Sequence, residues 1–497
     1  MISALIALPL LATLAIALLN DDEAWLSKRL AAAVAGLTTL LSLGLWLGYD
    51  LTAGGFQYLE HYAWLPALGI DYIVALDGLS LPFIFLTALL TLVALLTDWG
   101  VKDRLFFALF LVLQSALTAV FAALDLIVFF VAFEVVLIPM FFIIGVWGYG
   151  ERRYAAIKFL LYSLFGSVFL FVAILVTGWL AAGSGPVSFD YRVLLERTLD
   201  LRAAAPWLFW GFALAFLVKL PAFPLHTWLP HAHTQAPTAG SILLAGVLLK
   251  MGGYGLIRFN MALFPEALVQ AQGVLAGLAV AGVLYGSYVA LGQTDLKRLV
   301  AYSSVAHMGF VLLGIASATP LGVHGAVYQM VAHGVITGLM FGLVGMLSHR
   351  THTRAIAAMK GVYAAMPVLG GLLWFSLLAG AGMPGLAGFV GEFQALLGAF
   401  QNPVTTLSAV LSVFGILITG GVMVWTIQRV LQGEPTEEMK ERFELRDLSG
   451  LELAAVAPLV FLAILWGLWP PSLTPYIDSA VQPILAAFEA ATRVAGR

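Results

Sequence analysis

The chain has 497 residues, of which 61% are apolar and only 10% charged, with a formal net charge of −3 and no cysteine. Soluble globular proteins carry about 25% charged and about 45–50% apolar residues, so this composition excludes a soluble enzyme, a secreted domain and a disordered chain. The near-neutral charge, without a basic stripe, excludes nucleic acid binding, and the lack of cysteine excludes disulfides and cysteine-ligated iron–sulfur clusters in this chain.

Fourteen apolar stretches predict transmembrane helices. A helical span needs about 20 mostly apolar residues, because lipid offers no partner to an unpaired backbone group. The stretches are centred near residues 10, 40, 88, 113, 136, 168, 213, 247, 279, 307, 335, 371, 417 and 460. The first is predicted to be a span and not a signal peptide, since acidic residues follow it in place of a cleavage site. The predicted fold class is therefore an all-α polytopic membrane protein with about 14 transmembrane helices.

The distribution of lysine and arginine predicts the orientation of the chain. With the N-terminus outside, the inner loops hold 16 of the 24 basic residues, and the outer segments hold six, which include Arg258, Arg493 and Arg497. Since positive charge favours the inner side, both termini are expected on the outer side. The remaining two basic residues, Lys219 and Lys250, lie inside spans.

Titratable residues at membrane depth are the strongest functional signal. A charge at the centre of a span costs about 2.5–3.5 kcal/mol, so such residues are rare without a role. The set comprises two acids, two lysines and two histidines: Glu134, Lys219, Lys250, His307, His333 and Glu392. A structural clamp explains one Glu–Lys pair, and helix packing explains a single histidine, but neither explains the whole set. We expect these side chains to form a hydrated line through the middle of the bundle.

Prolines predict two interrupted helices. Pro221 and Pro224 follow Lys219, and Pro384 precedes Glu392. The spacing from residue 219 to residue 392 is 173, as it is from residue 134 to residue 307, which suggests two duplicated halves. Five spans per half require opposite orientations, so two inverted five-helix repeats are predicted, an arrangement typical of transporters. The expected segments are 1–104, 105–260, 266–431 and 432–497.

Three histidines lie close together between the seventh and eighth predicted spans. His226, His231 and His233 occur within eight residues, but no acidic or cysteine ligand lies beside them, which disfavours a metal site. Because neutral histidine titrates near physiological pH, a hydrated proton entrance is the favoured interpretation.

Several motifs resemble the antiporter-like subunits of respiratory complex I. They are Phe133–Met140, Val218–Pro230, Gln235–Ser241, Thr294–Ser304 and Gly388–Phe393. Together they make the resemblance extend over nearly the whole chain. Glu392 favours the M-type branch, because the sister L-type and N-type subunits carry lysine there. His231 departs from the family pattern, in which aspartate is common at this position.

The resemblance implies a proton-translocating subunit in a bacterial cytoplasmic (inner) membrane. It implies that Glu134 pairs with Lys219, that Lys250 is the central relay group and Glu392 the terminal one, and that His307 and His333 join them. It also implies no cofactor in this chain. NADH, flavin, iron–sulfur clusters and quinone are then expected in partner subunits, with L-like and N-like subunits on either side.

Three alternatives remain at this stage. The chain resembles the D-like component of a multisubunit cation/proton antiporter, and it also resembles the equivalent subunits of hydrogenase and plastoquinone complexes. A passive membrane scaffold is the third alternative. Two segments are candidate docking surfaces for neighbouring subunits, the polar tract Glu434–Lys440 and the outer segment Val187–Arg202.

Overall fold

The structure is a computed structural model that describes residues 1–20, 23–435, 437–442 and 445–495. Arg497 and Thr436, the third residue of the tract Glu434–Lys440, therefore lie outside the described residues. The first half of the chain forms α1 Ile2–Ala17, α2 Ala24–Leu47, β1 Gln57–Leu65, β2 Ile70–Leu76, α3 Ser80–Thr97, α4 Arg104–Ala122, α5 Leu126–Val135, α6 Leu137–Trp147, α7 Arg152–Ala182, α8 Tyr191–Glu196, α9 Ala205–Lys219, α10 Trp228–Gln235, α11 Thr238–Leu243 and α12 Lys250–Gly255.

The second half forms α13 Pro265–Leu291, α14 Leu296–Ser317, α15 Pro320–Thr351, α16 Val362–Ala365, α17 Pro367–Gly380, α18 Ala387–Gln401, α19 Thr406–Thr426, α20 Glu437–Arg442, α21 Gly450–Leu468 and α22 Thr474–Ala495. Three π-helical segments adjoin these helices: Leu244–Leu248, Leu256–Met261 and Ile427–Leu431.

The predicted spans are present as helices. Among the described residues, eleven helices are long and apolar enough to cross a membrane, and α1, α9 and α17 are shorter apolar helices. Each of the fourteen predicted centres falls within one of these helices or its interrupted continuation. The prediction of an all-α polytopic membrane fold is therefore confirmed.

The two predicted halves have the same order of elements. Leu126–Trp147 and Leu296–Ser317 both contain 22 residues, and the next spans, α7 and α15, contain 31 and 32. The fourth span of each half is interrupted, and the fifth ends in a π-helical segment. This agreement in length and irregularity supports the proposed repeat.

Both interruptions occur at the predicted prolines. The first lies between α9 and α10, and the second between α17 and α18. Lys219 is the last residue of α9, before its break, whereas Glu392 lies in the second turn of α18, after its break. The equal spacing of 173 residues therefore does not mark equivalent positions on the two interrupted helices.

A β-hairpin and a C-terminal helix were not expected from the sequence. The strands β1 and β2 form an antiparallel hairpin, which turns at Gly69 with a φ of 71°. The C-terminal tail forms α22, whose buried residues Ile477, Val481 and Leu485 recur every four positions and face the bundle. A search for long apolar runs detects neither element, because both are amphipathic.

The centre of the bundle consists of three spans whose apolar stretches are enclosed by the rest of the chain. They are Thr238–Met261, α14 and α15. These spans carry Lys250, His307 and His333, so the fold removes these titratable groups from lipid.

Candidate functional site

Four titratable side chains form a continuous line at the centre of the bundle. Lys250 Nζ lies 2.7 Å from His333 Nδ1, and the centroids of the His333 and His307 rings are 5.5 Å apart. His307 Nδ1 lies 2.5 Å from Glu392 Oε1, which also accepts a hydrogen bond of 2.9 Å from Gln329 Nε2. All these side chains are buried. We call Lys250, His333, His307 and Glu392 the central relay.

A π-helical segment sets the position of Lys250. The segment Leu244–Leu248 precedes Lys250, and a π turn inserts one residue relative to an α-helix, which leaves a backbone carbonyl open to another donor. Lys250 Nζ donates to the carbonyl of Ala245 in this segment. The ammonium is thus held by its own helix on one side and by His333 on the other. The hydroxyl of Thr337, 3.2 Å from His333 Nδ1, adds a further polar contact.

Lys219 occupies a separate buried pocket in the first half. It ends α9 and donates a hydrogen bond of 3.1 Å to Ser163 Oγ of α7. Its ammonium lies over the faces of Phe133 and Phe159, at 5.1 and 5.4 Å from the ring centroids. Cation–π attraction and one hydrogen bond therefore stabilise a charge that lipid alone would not.

Glu134 lies on α5, beside this pocket. Its side chain is only half-buried, and its Oε1 atom has no hydrogen-bond partner within the described part of the chain. Glu134 and Lys219 interact electrostatically, but no ion pair within 4.0 Å joins them among the described residues. The two groups are neighbours without direct contact.

The three clustered histidines lie in different environments. His231 lines an open cleft of 710 Å³ together with Gly150–Tyr154, and its Nδ1 is 3.4 Å from Lys158 Nζ. His226 is buried against Phe223, with ring centroids 5.6 Å apart.

His233 is also buried and lies parallel to Phe341, at 4.6 Å between ring centroids. Within the described ranges, no group of three His, Cys, Asp or Glu side chains is arranged to hold a metal ion.

Sequence reasoning missed a buried ion pair at one end of the bundle. Arg258 was assigned to an outer segment, but the structure buries it in the π-helical segment Leu256–Met261. Its Nη2 donates to both carboxylate oxygens of Asp77, each at 2.6 Å. The guanidinium also lies over the rings of Phe56 and Tyr191. The only sequence signal was an arginine eight residues after Lys250 in an otherwise apolar helix.

A second missed cluster lies at the opposite end, where the basic residues of the predicted inner loops gather. Lys297 was assigned to a loop, but it is buried in the first turn of α14 and donates to the carbonyl of Ala236 at 2.5 Å. Asp98, just after α3, accepts a hydrogen bond of 2.9 Å from the backbone of Ala239. Burial raises the pKa of Asp98 above its ordinary value.

Comparison with known proteins identifies one family and several similar chains. Residues 123–419 match the profile of a family described as NADH:quinone oxidoreductase/Mrp antiporter, TM. The chain is 42% identical to NAD(P)H-quinone oxidoreductase chain 4 of a Nostoc species, over 98% of this chain and 91% of that protein. It is 41% identical to NADH-quinone oxidoreductase subunit M of Rhodobacter capsulatus, over 93% and 91%.

A solved structure, respiratory complex I from Thermus thermophilus with bound NADH, contains a similar chain. The TM-score is 0.90 at 33% sequence identity, and the match covers 98% of this chain and 100% of that one. The similarity therefore includes the whole arrangement of helices, and not only the central motifs.

Proposed function

The chain belongs to the NADH:quinone oxidoreductase/Mrp antiporter TM family, and from this premise we propose that it is the M-type, proton-translocating membrane-arm subunit of an NADH:quinone oxidoreductase. Two curated relatives with about the same identity are named as subunits of such enzymes. The observation that carries the proposal is the central relay, a buried line of titratable groups in mutual contact. Redox chemistry belongs to partner subunits, which hold the flavin, the iron–sulfur clusters and the NADH and quinone sites.

Proton transfer within the central relay needs only small movements. The 2.7 Å separation of Lys250 Nζ and His333 Nδ1 is that of a single shared proton, and the same holds at 2.5 Å for His307 and Glu392. A water molecule or a ring rotation connects the two histidines, whose centroids are 5.5 Å apart. Because the relay is buried, a charge added at one end changes proton affinity at the other.

Lys219 and Glu134 act as the controlling pair of the first half. The Lys219 ammonium is already held by Ser163 and by aromatic faces, so a modest approach of Glu134 is enough to stabilise its charge. When Glu134 moves away or is neutralised, desolvation favours loss of the proton from Lys219. The change in charge at Lys219 then alters the potential at Lys250.

Neighbouring membrane subunits cover part of this chain in the assembly that we propose. Glu134 lies on a half-exposed helix face next to Val131 and Ile138, and a carboxylate there is costly against lipid. L-like and N-like subunits on either side supply a polar environment for this face. We also propose location in the bacterial cytoplasmic membrane, with both termini on the outer side, as the distribution of basic residues favours.

The experiment that tests the proposal replaces Lys219 by Met or Glu134 by Gln in the assembled complex. NADH-driven proton uptake into vesicles is measured per NADH oxidised. We expect uptake to fall in both variants, and Lys102→Met, which changes an exposed lysine at a helix connection, to keep the parental ratio. Full pumping by either variant would contradict the proposed roles.

The same preparation separates the proposal from its closest alternative. A component of a cation/proton antiporter is expected to restore growth of a sodium-sensitive host without NADH oxidation. Gentle extraction of the chain from its native membrane together with flavin- and iron–sulfur-containing proteins supports the NADH:quinone oxidoreductase assignment. Extraction with antiporter proteins alone would contradict it.

A further inference from the structure

Arg429 carries an unpaired positive charge at the end of the span Thr406–Leu431. It lies in the π-helical segment Ile427–Leu431, and its Nε and Nη2 atoms are buried without a hydrogen-bond acceptor within the described part of the chain. Among the same residues, no carboxylate oxygen lies within 4.0 Å of its guanidinium. Buried polar atoms are nearly always paired in proteins, so the arrangement indicates a site that a ligand completes. Because the residue as a whole is only partly buried, a ligand can reach it from outside the chain.

The ring of Trp425 holds this guanidinium in place. Arg429 Cζ lies 3.7 Å from the ring centroid, the shortest contact between a cationic group and an aromatic ring among the described residues. The contact uses the face of the planar guanidinium and leaves its edge free. That edge is the part of an arginine that forms paired hydrogen bonds with a phosphate or carboxylate group.

The surface of α19 changes in character toward Arg429. Phe414, Leu417 and Val424 are exposed apolar side chains on the span. Trp425, which is 42% exposed, follows them, and Arg429 comes one turn later. Tryptophan and arginine at the end of a span lie at the level of the lipid headgroups. The order along α19 is therefore that of a phospholipid, with apolar chains first and a charged headgroup last.

A second positive charge lies at the same end of α19. Lys360 is exposed and lies over Gly433, where a methyl group would be 3.1 Å from Lys360 Cε and 4.0 Å from Nζ. The acidic residues that follow, Glu434 and Glu437, both interact with Lys440, and the Glu437–Lys440 pair measures 2.8 Å. An anionic ligand therefore complements the charge of Arg429 and Lys360.

We propose that Arg429, stacked on Trp425, binds the phosphate of an anionic phospholipid whose acyl chains lie along α19. The inference goes beyond the proposed function, because it concerns the lipid-facing surface and not the proton route. A lipid fits this surface better than a carboxylate of a neighbouring subunit, since the exposed apolar face and the free charge are both matched by one molecule. Lys360 adds attraction that favours an anionic over a zwitterionic headgroup.

Photocrosslinking in the assembled complex identifies the occupant directly. Gln428, an exposed neighbour of Arg429, is replaced by p-benzoylphenylalanine, and the complex is reconstituted in an equimolar mixture of phosphatidylcholine and phosphatidylglycerol. After irradiation, the adducts of this chain are identified by mass spectrometry and counted per assembled complex. We expect phosphatidylglycerol adducts to exceed phosphatidylcholine adducts about fivefold, as about 1 kcal/mol of attraction per basic residue gives. Equal yields of the two lipids, or a peptide of a neighbouring subunit as the adduct, would overturn the site.

Charge variants show whether Arg429 causes the preference. Arg429→Gln keeps polarity without the charge and should bring the two lipid yields close to parity. Arg29→Gln is the matched control, because it removes an exposed arginine that lies 5.0 Å from the ring centroid of Trp25, on α2. It should leave the preference at position 428 unchanged. An unchanged preference in Arg429→Gln, or an equal fall in Arg29→Gln, would overturn the proposal.

Two further arms complete the test. If Arg429→Gln fails to assemble, Lys360→Gln, at an exposed side chain, should lower the preference for phosphatidylglycerol in the same direction. An unchanged preference in that variant would count against the site. Inorganic phosphate, added at constant ionic strength, should leave the lipid adduct unchanged. Loss of the adduct on this addition would indicate a site for free phosphate and overturn the lipid.

Discussion

Replacement of Arg258 by Met tests how the fold holds the helix that carries Lys250. Arg258 and Asp77 form a buried pair, with side chains 4% and 5% exposed and Nη2 2.6 Å from Oδ2. At an effective dielectric constant of about 20, this separation corresponds to an attraction of about 6 kcal/mol. Desolvation offsets much of that attraction, but removal of one partner leaves an unpaired buried charge and costs about 3–5 kcal/mol.

The assay is reversible unfolding of the chain in mixed micelles by sodium dodecyl sulfate, followed by tryptophan fluorescence. We expect Arg258→Met to lower the free energy of unfolding by about 3–5 kcal/mol. Arg29→Met, at an exposed arginine, should change it by less than about 1 kcal/mol.

A double variant tests whether the unpaired carboxylate of Asp77 causes this loss of stability. Asp77→Asn in the Arg258→Met background removes the orphaned carboxylate, so the double variant should be more stable than Arg258→Met alone. The asparagine side-chain oxygen can still accept from the Ser80 backbone, as Asp77 does at 3.0 Å. A loss below about 1 kcal/mol in Arg258→Met, or a double variant less stable than Arg258→Met, would refute the role of this pair.

Three further predictions concern stability. Gly252→Ala would place a methyl group 2.4 Å from the carbonyl oxygen of Phe216, so we expect a loss of about 1–3 kcal/mol in the same unfolding assay. Burial raises the pKa of Asp125, at the start of α5, to about 6, so the folded state holds this proton more tightly than the unfolded one. Stability should fall as the pH rises from about 4 to about 6, and Asp125→Asn should flatten that part of a pH series of melting temperatures. Arg350→Met removes two hydrogen bonds to Glu452, at 2.7 and 2.9 Å, and should cost about 1–3 kcal/mol in chemical unfolding, because the pair is only partly exposed.

Much of the architecture was predictable because one physical constraint dominates it. Lipid requires each crossing to satisfy its own backbone, so apolar length alone identified the spans. Proline chemistry placed both interruptions correctly, at Pro221, Pro224 and Pro384. The hairpin and α22 were not predicted, because their apolar residues alternate with polar ones and form no long apolar run.

The candidate site was also predicted only in part. The free-energy cost of placing a titratable group in a membrane span singled out Lys250, His307, His333 and Glu392. The structure brings these four side chains into one line. The sequence alone could not show which partner each group meets. That choice depends on side-chain geometry within a few ångströms and on a π-helical segment, which has no clear sequence signature. Lys297 was missed because a lysine next to a helix start is ordinarily a solvated loop residue.

The central claim is that protons cross this chain through the contact between His307 and Glu392. The most direct measurement is the number of protons translocated per NADH by a reconstituted complex that carries His307→Phe. This variant keeps an aromatic ring beside His333 but removes the nitrogen that lies 2.5 Å from Glu392. We predict that NADH oxidation by an uncoupled preparation continues while the proton-to-NADH ratio falls. An unchanged ratio in the fully assembled variant would contradict the relay.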